Sequence, residues 1–156
     1  MLRWLAHLSI LTAVFWPGCT SKECTLIGCG DSFEVRFTGA TAAPGRYQIE
    51  VVADGVPSSC QVTLPRECDT QPTCSSADAT WRLGTSGCSV SGGEPQRVDG
   101  IVFHRAPAAL DFVVRRDDVV VGGGSAQPSY QESQPNGPEC EPLCRQAPPV
   151  QTEIAP

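Results

Sequence analysis

Nine cysteines among 156 residues constrain the fold of this chain more than any other feature of its sequence. The first, Cys19, directly follows an apolar N-terminal run, and the other eight lie further along the chain. In an exported chain such a density is typical of a disulfide framework, because extracytoplasmic compartments are oxidising. Many pairings are possible, so the sequence leaves the connectivity open. The cysteines predicted to form disulfides are Cys24, Cys29, Cys60, Cys68, Cys74, Cys88, Cys140 and Cys144.

Residues 1–18 have the pattern of a secretory signal peptide. Arg3 supplies a positive charge, and an apolar run of 13 residues follows it over positions 4–16. This run is too short for a transmembrane helix, which needs about 20 residues. We therefore predict that the protein is exported and that residues 1–18 are removed.

The break Trp16-Pro-Gly-Cys19 resembles the bacterial lipobox, in which a small residue precedes a cysteine that is acylated. Cys19 is therefore the predicted lipidation site, carrying palmitate or a similar acyl chain. Parity supports this prediction, because setting Cys19 aside leaves an even number of cysteines. Residue 20 is Thr and not Asp, which by resemblance to lipoprotein sorting favours the outer membrane. The alternative is an ordinary signal peptide, with Cys19 as one more disulfide partner.

Composition limits the class of fold and the class of partner. The net charge of −6 argues against a nucleic-acid partner, since that function needs clustered Lys and Arg. A hydrophobic content of 40% with 18% charged residues allows a core and argues against wholesale disorder. Fifteen glycines and 14 prolines interrupt the chain often, which disfavours long helices.

Seven segments of the chain alternate apolar and polar side chains with the period of half-buried strands. They are residues 33–37, 47–53, 60–64, 79–83, 101–103, 110–114 and 119–121. Turn signals such as Pro44-Gly45 and Asp54-Gly55 separate them. The sequence therefore predicts an all-β fold, namely a single antiparallel β-sandwich of about seven strands stapled by disulfides.

Four parts of the chain follow from these patterns: a signal peptide over 1–18, an anchor and linker over 19–30, a disulfide-rich β-sandwich domain over 31–147, and a disordered tail over 148–156. Cys140 and Cys144 are expected to attach the proline-rich segment before them to the sandwich. The tail offers only Val150 and Ile154 as sizeable aliphatic residues. Two such side chains are too few to offset the entropy of ordering nine residues.

Metal binding is the main alternative to disulfides for these cysteines. The spacings of Cys24 to Cys29 and of Cys140 to Cys144 allow a four-cysteine zinc site. However, His104 is the single histidine after the signal peptide, and no two cysteines are separated by only two residues. We therefore predict disulfides, with no metal and no cofactor. Calcium at the acidic pair Asp117-Asp118 is a further alternative.

Catalytic motifs are incomplete in this sequence. Gly84-Thr-Ser86-Gly-Cys88 lacks the final glycine of a serine-hydrolase elbow, and no helix is predicted after it. His104 is predicted to lie on the solvent face of a strand. The run Gly122-Gly-Gly-Ser125 lacks the Lys and Ser/Thr of a phosphate loop and is predicted to be a flexible exit from the last strand. Trp81 is predicted to lie in the core, with sugar stacking as the alternative.

Several motifs together resemble small cysteine-rich lipoproteins of the myxobacterial kind. They are the lipobox at Cys19, the hairpin Tyr47-x-Ile-x-Val-x-Ala-Asp-Gly55, the strand Cys60-x-Val-x-Leu-Pro65, and the terminal run Pro135-Asn-Gly-Pro-x-Cys-x-Pro-x-Cys-Arg145. The resemblance implies an envelope location and a disulfide-rich fold, and it brings no active site with it. The hairpin also resembles immunoglobulin-like or transthyretin-like modules.

The sequence thus predicts a lipid-anchored β-sandwich of the cell envelope that is not an enzyme. Its expected role is that of a surface interaction module or a structural module. Its expected partners are the membrane, through the N-terminal lipid, and an envelope protein or polysaccharide. The alternative is a module that binds a small ligand, a sugar or a cation, and an enzyme is the least favoured interpretation.

Overall fold

The computed structural model describes residues 24–75, 80–88 and 94–156. This part of the chain contains eleven β-strands and no helix, so the prediction of an all-β fold is confirmed. The signal peptide and Cys19 lie outside the described residues. The strands are β1 (Phe33–Gly39), β2 (Gly45–Ala53), β3 (Val56–Leu64), β4 (Thr73–Cys74), β5 (Trp81–Ser86), β6 (Arg97–Phe103), β7 (Leu110–Arg116), β8 (Val119–Ala126), β9 (Gln131–Ser133), β10 (Cys144–Gln146) and β11 (Val150–Ile154).

The strands form three sheets rather than one seven-stranded sandwich. One sheet has the order β11-β1-β6-β5, the second has the order β4-β3-β2-β7-β8, and the third pairs β9 with β10. Every pair of neighbouring strands is antiparallel except β1 and β11, which run parallel. The predicted count of about seven strands was therefore too low, because β4, β9, β10 and β11 are additional.

The two larger sheets pack over one shared hydrophobic core. Strand β2 illustrates why the sequence folds this way, because Tyr47, Ile49 and Val51 are buried while the residues between them face outward. Across the core, the rings of Phe37 in β1 and Phe112 in β7 stack with their centroids 6.3 Å apart. This contact joins one sheet to the other.

Trp81, in the edge strand β5, also connects the two larger sheets. Its side chain is only 4% exposed, and its indole Nε1 donates a hydrogen bond of 2.8 Å to Ser58 Oγ of β3. Its ring lies 6.4 Å from that of Phe103. The prediction that Trp81 belongs to the core is confirmed, and its burial removes it as a platform for sugar stacking.

Replacing Trp81 by Ala should lower the free energy of unfolding by about 4 kcal/mol, as for other large aromatic side chains removed from cores. Trp81→Phe is the matched control, because it keeps an aromatic ring in the core, loses the donor to Ser58 and leaves a smaller cavity than Ala does. That variant should lose about 2 kcal/mol. Urea unfolding of the two variants measures the difference, and equal losses would contradict a packing role for the indole.

The structure corrects the prediction of a disordered tail over residues 148–156. Residues Val150–Ile154 form β11, which pairs with β1 in the register Val35 to Val150 through Gly39 to Ile154. Ile154 is 1% exposed, and Ala155 N donates to Val121 O in the other sheet. One fully buried side chain and a row of backbone hydrogen bonds therefore hold this segment against the sandwich.

The glycine run at residues 122–125 also differs from its prediction, because it continues β8 rather than forming a flexible exit. Gly122 pairs with Val114 and Ser125 pairs with Asp111 in β7. A Cβ atom at Gly122 would lie 2.6 Å from Ile154 Cδ1. The absence of a side chain at Gly122 thus lets β11 approach β8 and close this side of the sandwich.

The strand register defines two ends of the sandwich. At one end, Phe103 lies opposite both Phe33 and Trp81, and residues 24–32 lead into β1 there. We name this the N-terminal end. The distal end contains the Asp117-Asp118 turn, which contacts Arg46 at the start of β2. The two ends therefore carry different groups.

Candidate functional site

Two disulfides fasten the first described residues to a segment more than 100 residues further along the chain. Cys24 bonds to Cys140 and Cys29 bonds to Cys144, with Cα atoms 5.8 and 6.0 Å apart. We name residues 24–29 and 136–144, with these two bridges, the staple. The pairing that the sequence left open is thus Cys24 with Cys140 and Cys29 with Cys144, which are two bridges between the same two segments.

Asn136 joins the two segments of the staple through hydrogen bonds. Its Oδ1 accepts hydrogen bonds from Thr25 Oγ1 at 2.7 Å and from Ile27 N at 2.8 Å. Its Nδ2 donates to Ile27 O at 3.1 Å and to Glu141 O at 2.6 Å. The residue is buried, so these four bonds satisfy an amide that would be costly to leave unpaired. Sequence reasoning named Asn136 only within the terminal run from Pro135 to Arg145 and missed this role.

Asp31 continues the attachment just beyond the staple. Its carboxylate accepts hydrogen bonds from Arg145 N at 2.8 Å and from Arg145 Nη2 at 2.7 Å. Ser32 N in turn donates to Arg145 O at 2.9 Å. The hydrogen bond from Arg145 lowers the pKa of Asp31, and the same pair raises the pKa of Arg145.

This ion pair predicts a pH-dependent difference between the wild type and Asp31→Asn. A carboxyl whose pKa is lowered by folding contributes stability above its unfolded pKa, near 3.8, and loses it as the pH falls through the folded pKa. At neutral pH the variant should be slightly less stable than the wild type, because the ion pair lies near solvent and is screened by it. That difference should vanish in strong acid. Urea unfolding over a pH series checks this, and a gap that persists in strong acid would contradict it.

Tyr130 holds the segment before the staple against the sandwich. Its hydroxyl donates to Pro107 O at 2.9 Å, and its ring meets that of Phe33 edge-on at 6.5 Å. Burial, followed by the negative charge of Asp54, raises the pKa of Tyr130 to about 12. The phenol therefore stays protonated, and its bond to Pro107 holds, throughout the physiological pH range.

Three large apolar side chains of the staple face solvent. Leu26 is 100% exposed, Ile27 is 54% exposed and Leu143 is 42% exposed. Leu26 and Ile27 lie between the half-cystines 24 and 29, and Leu143 directly precedes Cys144. The two bridges thus hold these apolar side chains in water. Their exposure contributes nothing to the stability of the fold.

The other two disulfides hold the loop over residues 65–75 against the edge formed by β3 and β5. Cys60 bonds to Cys74, and Cys68 bonds to Cys88 after the end of β5. Arg66 strengthens this attachment, because its Nη2 donates to Thr85 Oγ1 at 3.1 Å and its Nη1 donates to Thr70 O. The sequence of this loop does not alternate apolar and polar residues as a strand does. Its position is fixed by the cross-links instead.

A surface groove of about 540 Å³ lies between this loop and the outer surface of β5 and β6. Its lining is polar and carries two basic and two acidic side chains, namely Arg66, Arg82, Glu34 and Asp99. Two glycines, Gly84 and Gly100, also line it. Such a groove could accept a polar molecule that carries charges of both signs.

The groups considered for catalysis do not come together. Ser86 lies opposite Arg97 at one end of the β5–β6 pair, whereas His104 follows Phe103 at the other end. At about 3.3 Å per residue the two are separated by roughly 20 Å. Ser86 Oγ donates to Asp99 at 2.9 Å and accepts from Arg97 Nε at 3.0 Å. His104 is exposed, as predicted, but it lies just after the end of β6 and not on a strand.

Asp117 and Asp118 form the turn between β7 and β8 and are engaged by one arginine. Both have positive φ, at 49° and 67°, as a tight two-residue hairpin turn requires. Arg46 Nη2 donates to both carboxylate oxygens of Asp118, at 2.7 and 2.8 Å, and Arg46 N donates to Asp117 Oδ1. These contacts give both carboxylates protein partners and a structural role in the turn.

Metal binding by the cysteines is likewise not what the structure shows. All eight cysteines from Cys24 to Cys144 are consumed in four disulfides, which leaves no thiolate among them for zinc. Within residues 24–75, 80–88 and 94–156, no group of three or more His, Cys, Asp or Glu side chains could hold a metal ion.

Comparison of the chain with protein-family models, with curated proteins and with solved structures finds no match. In the part of the chain that the structure describes, no helix is long and apolar enough to cross a membrane.

Proposed function

We propose that this protein is a lipid-anchored, non-catalytic module of a bacterial cell envelope, tethered to the outer membrane through Cys19. The short apolar leader and the lipobox-like break before Cys19 support this proposal. Four disulfides are compatible with an oxidising, extracytoplasmic location. The module would present its surface to an envelope protein or polysaccharide.

The observation that carries this proposal is the attachment of the chain just after the anchor. Cys24 follows Cys19 by five residues and is covalently joined to Cys140. A lipid at Cys19 would then hold a rigid domain close to the membrane instead of a domain on a long flexible linker. The separation of Ser86 from His104 supports a non-catalytic role.

Acylation of Cys19 can be tested in a host with two membranes. Cells grown with labelled palmitate should incorporate label into the wild type, which should fractionate with the outer membrane. Cys19→Ser should abolish both properties, and Thr20→Ser is the matched control that should retain them. By the resemblance to lipoprotein sorting, Thr20→Asp should remain labelled and move to the inner membrane. Mature wild-type protein with an unmodified Cys19 would refute the proposal.

The groove along β5 favours one second candidate function, the binding of a small polar ligand. Glu34 and Asp99 line this groove together with Arg66 and Arg82, so a zwitterionic ligand would find partners for both of its charges. Titration with zwitterionic dipeptides and with neutral oligosaccharides, followed by thermal unfolding, tests this. Arg82→Ala should abolish any shift that the dipeptides cause. Arg115→Ala, on the other sheet, should leave it unchanged.

A further inference from the structure

Leu26, Ile27 and Leu143 are exposed apolar residues on the two segments that the bridges of the staple join, and we name these three residues the patch. We infer that Leu26, Ile27 and Leu143 insert into the interfacial layer of the same membrane that carries the Cys19 lipid, so that the N-terminal end of the sandwich rests on the bilayer. This inference rests on the proposed lipid anchor. It adds an orientation, which the anchor alone would not impose.

Chain length brings the patch within reach of the bilayer. Cys24 follows Cys19 by five positions, so their Cα atoms can be at most about 18 Å apart. Leu26 follows two residues later and is fully exposed. An acyl chain at Cys19 must enter the bilayer, so the patch cannot lie far from the membrane surface. Apolar side chains that penetrate an interface do so to a depth of about 5–10 Å.

The staple also reduces the conformational entropy that the chain would lose when the patch inserts into the membrane. Ile27 is held through both its N–H and its carbonyl by Asn136, and half-cystines flank the segment at positions 24 and 29. Leu143 N is fixed by a hydrogen bond of 3.1 Å to the Glu141 carboxylate. The patch is therefore preorganised, and inserting it orders little additional chain.

The charges around the patch indicate which lipids it would contact. Glu139 and Glu141 flank Cys140, and Arg145 is paired with Asp31. Acidic side chains beside the patch would be repelled by anionic headgroups, so apolar insertion rather than electrostatic attraction must drive the contact. We therefore expect contact with zwitterionic bilayers, and a contact that salt does not weaken.

Depth-dependent fluorescence quenching tests the orientation. The acylated protein is purified from cells and placed in phosphatidylcholine–phosphatidylethanolamine vesicles, in a Trp81→Phe background that removes the tryptophan of the sandwich. Leu26→Trp introduces a reporter in the patch. Val119→Trp, at the exposed start of β8 beside the turn of the distal end, is the matched control. Both replaced side chains are mostly solvent-exposed, so neither substitution disturbs the core.

The expected result is that lipids brominated near the headgroup reduce the emission of the Leu26→Trp reporter at least roughly twofold, and that vesicles protect this reporter from iodide. The Val119→Trp control should remain open to iodide and unaffected by brominated lipid. If the protein floats with the vesicles but the reporter in the patch stays as open to iodide as the control, the orientation is wrong and the anchor stands. If the wild type does not float, the anchor itself fails and the orientation fails with it.

Discussion

Removing both bridges of the staple should lower the free energy of unfolding by about 7 kcal/mol, whereas removing either one should cost only about 3 kcal/mol. The reason is that Cys24–Cys140 and Cys29–Cys144 close almost the same loop, of 116 and 115 residues. Closing so long a loop restricts the unfolded chain by about 5 kcal/mol. With one bridge intact, the second closes a ring of only about ten residues.

The measurement uses paired serine variants, which leave no free thiol. Urea unfolding is compared for the wild type, for Cys24→Ser with Cys140→Ser, for Cys29→Ser with Cys144→Ser, and for all four substitutions together. The Cys60 and Cys74 pair is the control, because its bridge spans only 14 residues and should contribute about 3 kcal/mol independently of the others. Losses that simply add would contradict the redundancy of the two long bridges.

Deleting residues 150–156 should lower the free energy of unfolding by about 5 kcal/mol. Most of this loss comes from Ile154, since removing a fully buried aliphatic side chain costs about 2–5 kcal/mol. The remainder comes from exposing the edge of β1 and the side of Val121 that β11 covers. A tail without structure would predict no change at all.

Two point variants separate packing from chain length in this segment. Ile154→Ala should reproduce more than half of the loss caused by the deletion, whereas Glu153→Ala, at an exposed neighbouring position of β11, should change stability little. Thermal and urea unfolding of the three proteins provide the comparison. Equal behaviour of the two point variants would show that Ile154 does not anchor the strand.

Much of the sandwich follows from local patterns in the sequence. The alternation of Tyr47, Ile49 and Val51 marks β2 because each buried side chain is two residues from the next, and Asp54-Gly55 marks the turn after it. Trp81 was also assigned correctly to the core. Such features depend on neighbours in sequence, and the strands β1, β2, β3, β5, β6, β7 and β8 were all found in this way.

The features that the sequence did not reveal depend on distant partners. Val150, Thr152 and Ile154 alternate as a strand should, but their partner β1 lies more than 100 residues earlier. Without that partner, two sizeable aliphatic residues are too few to predict an ordered segment. Asn136 looks like a turn residue until Thr25 and Ile27 are placed beside it. The pairing of cysteines is of the same kind, because only the folded arrangement selects one set of bridges.

The staple gives the proposed function its physical basis. A lipid alone would hold the sandwich on a flexible linker, but Cys24–Cys140 and Cys29–Cys144 shorten that linker to the residues before Cys24. Asn136 and Asp31 then fix the path of the chain into β1. The domain would therefore keep its N-terminal end at the bilayer and expose its distal end and the groove along β5.

The intact mass of the mature protein, isolated from membranes without reduction, tests this account most directly. The account predicts a chain that begins at Cys19, carries diacylglycerol and an acyl chain there, and is lighter by eight hydrogens than its reduced form because four disulfides are closed. A mature chain with an unmodified Cys19, or with free thiols among the other eight cysteines, would contradict it.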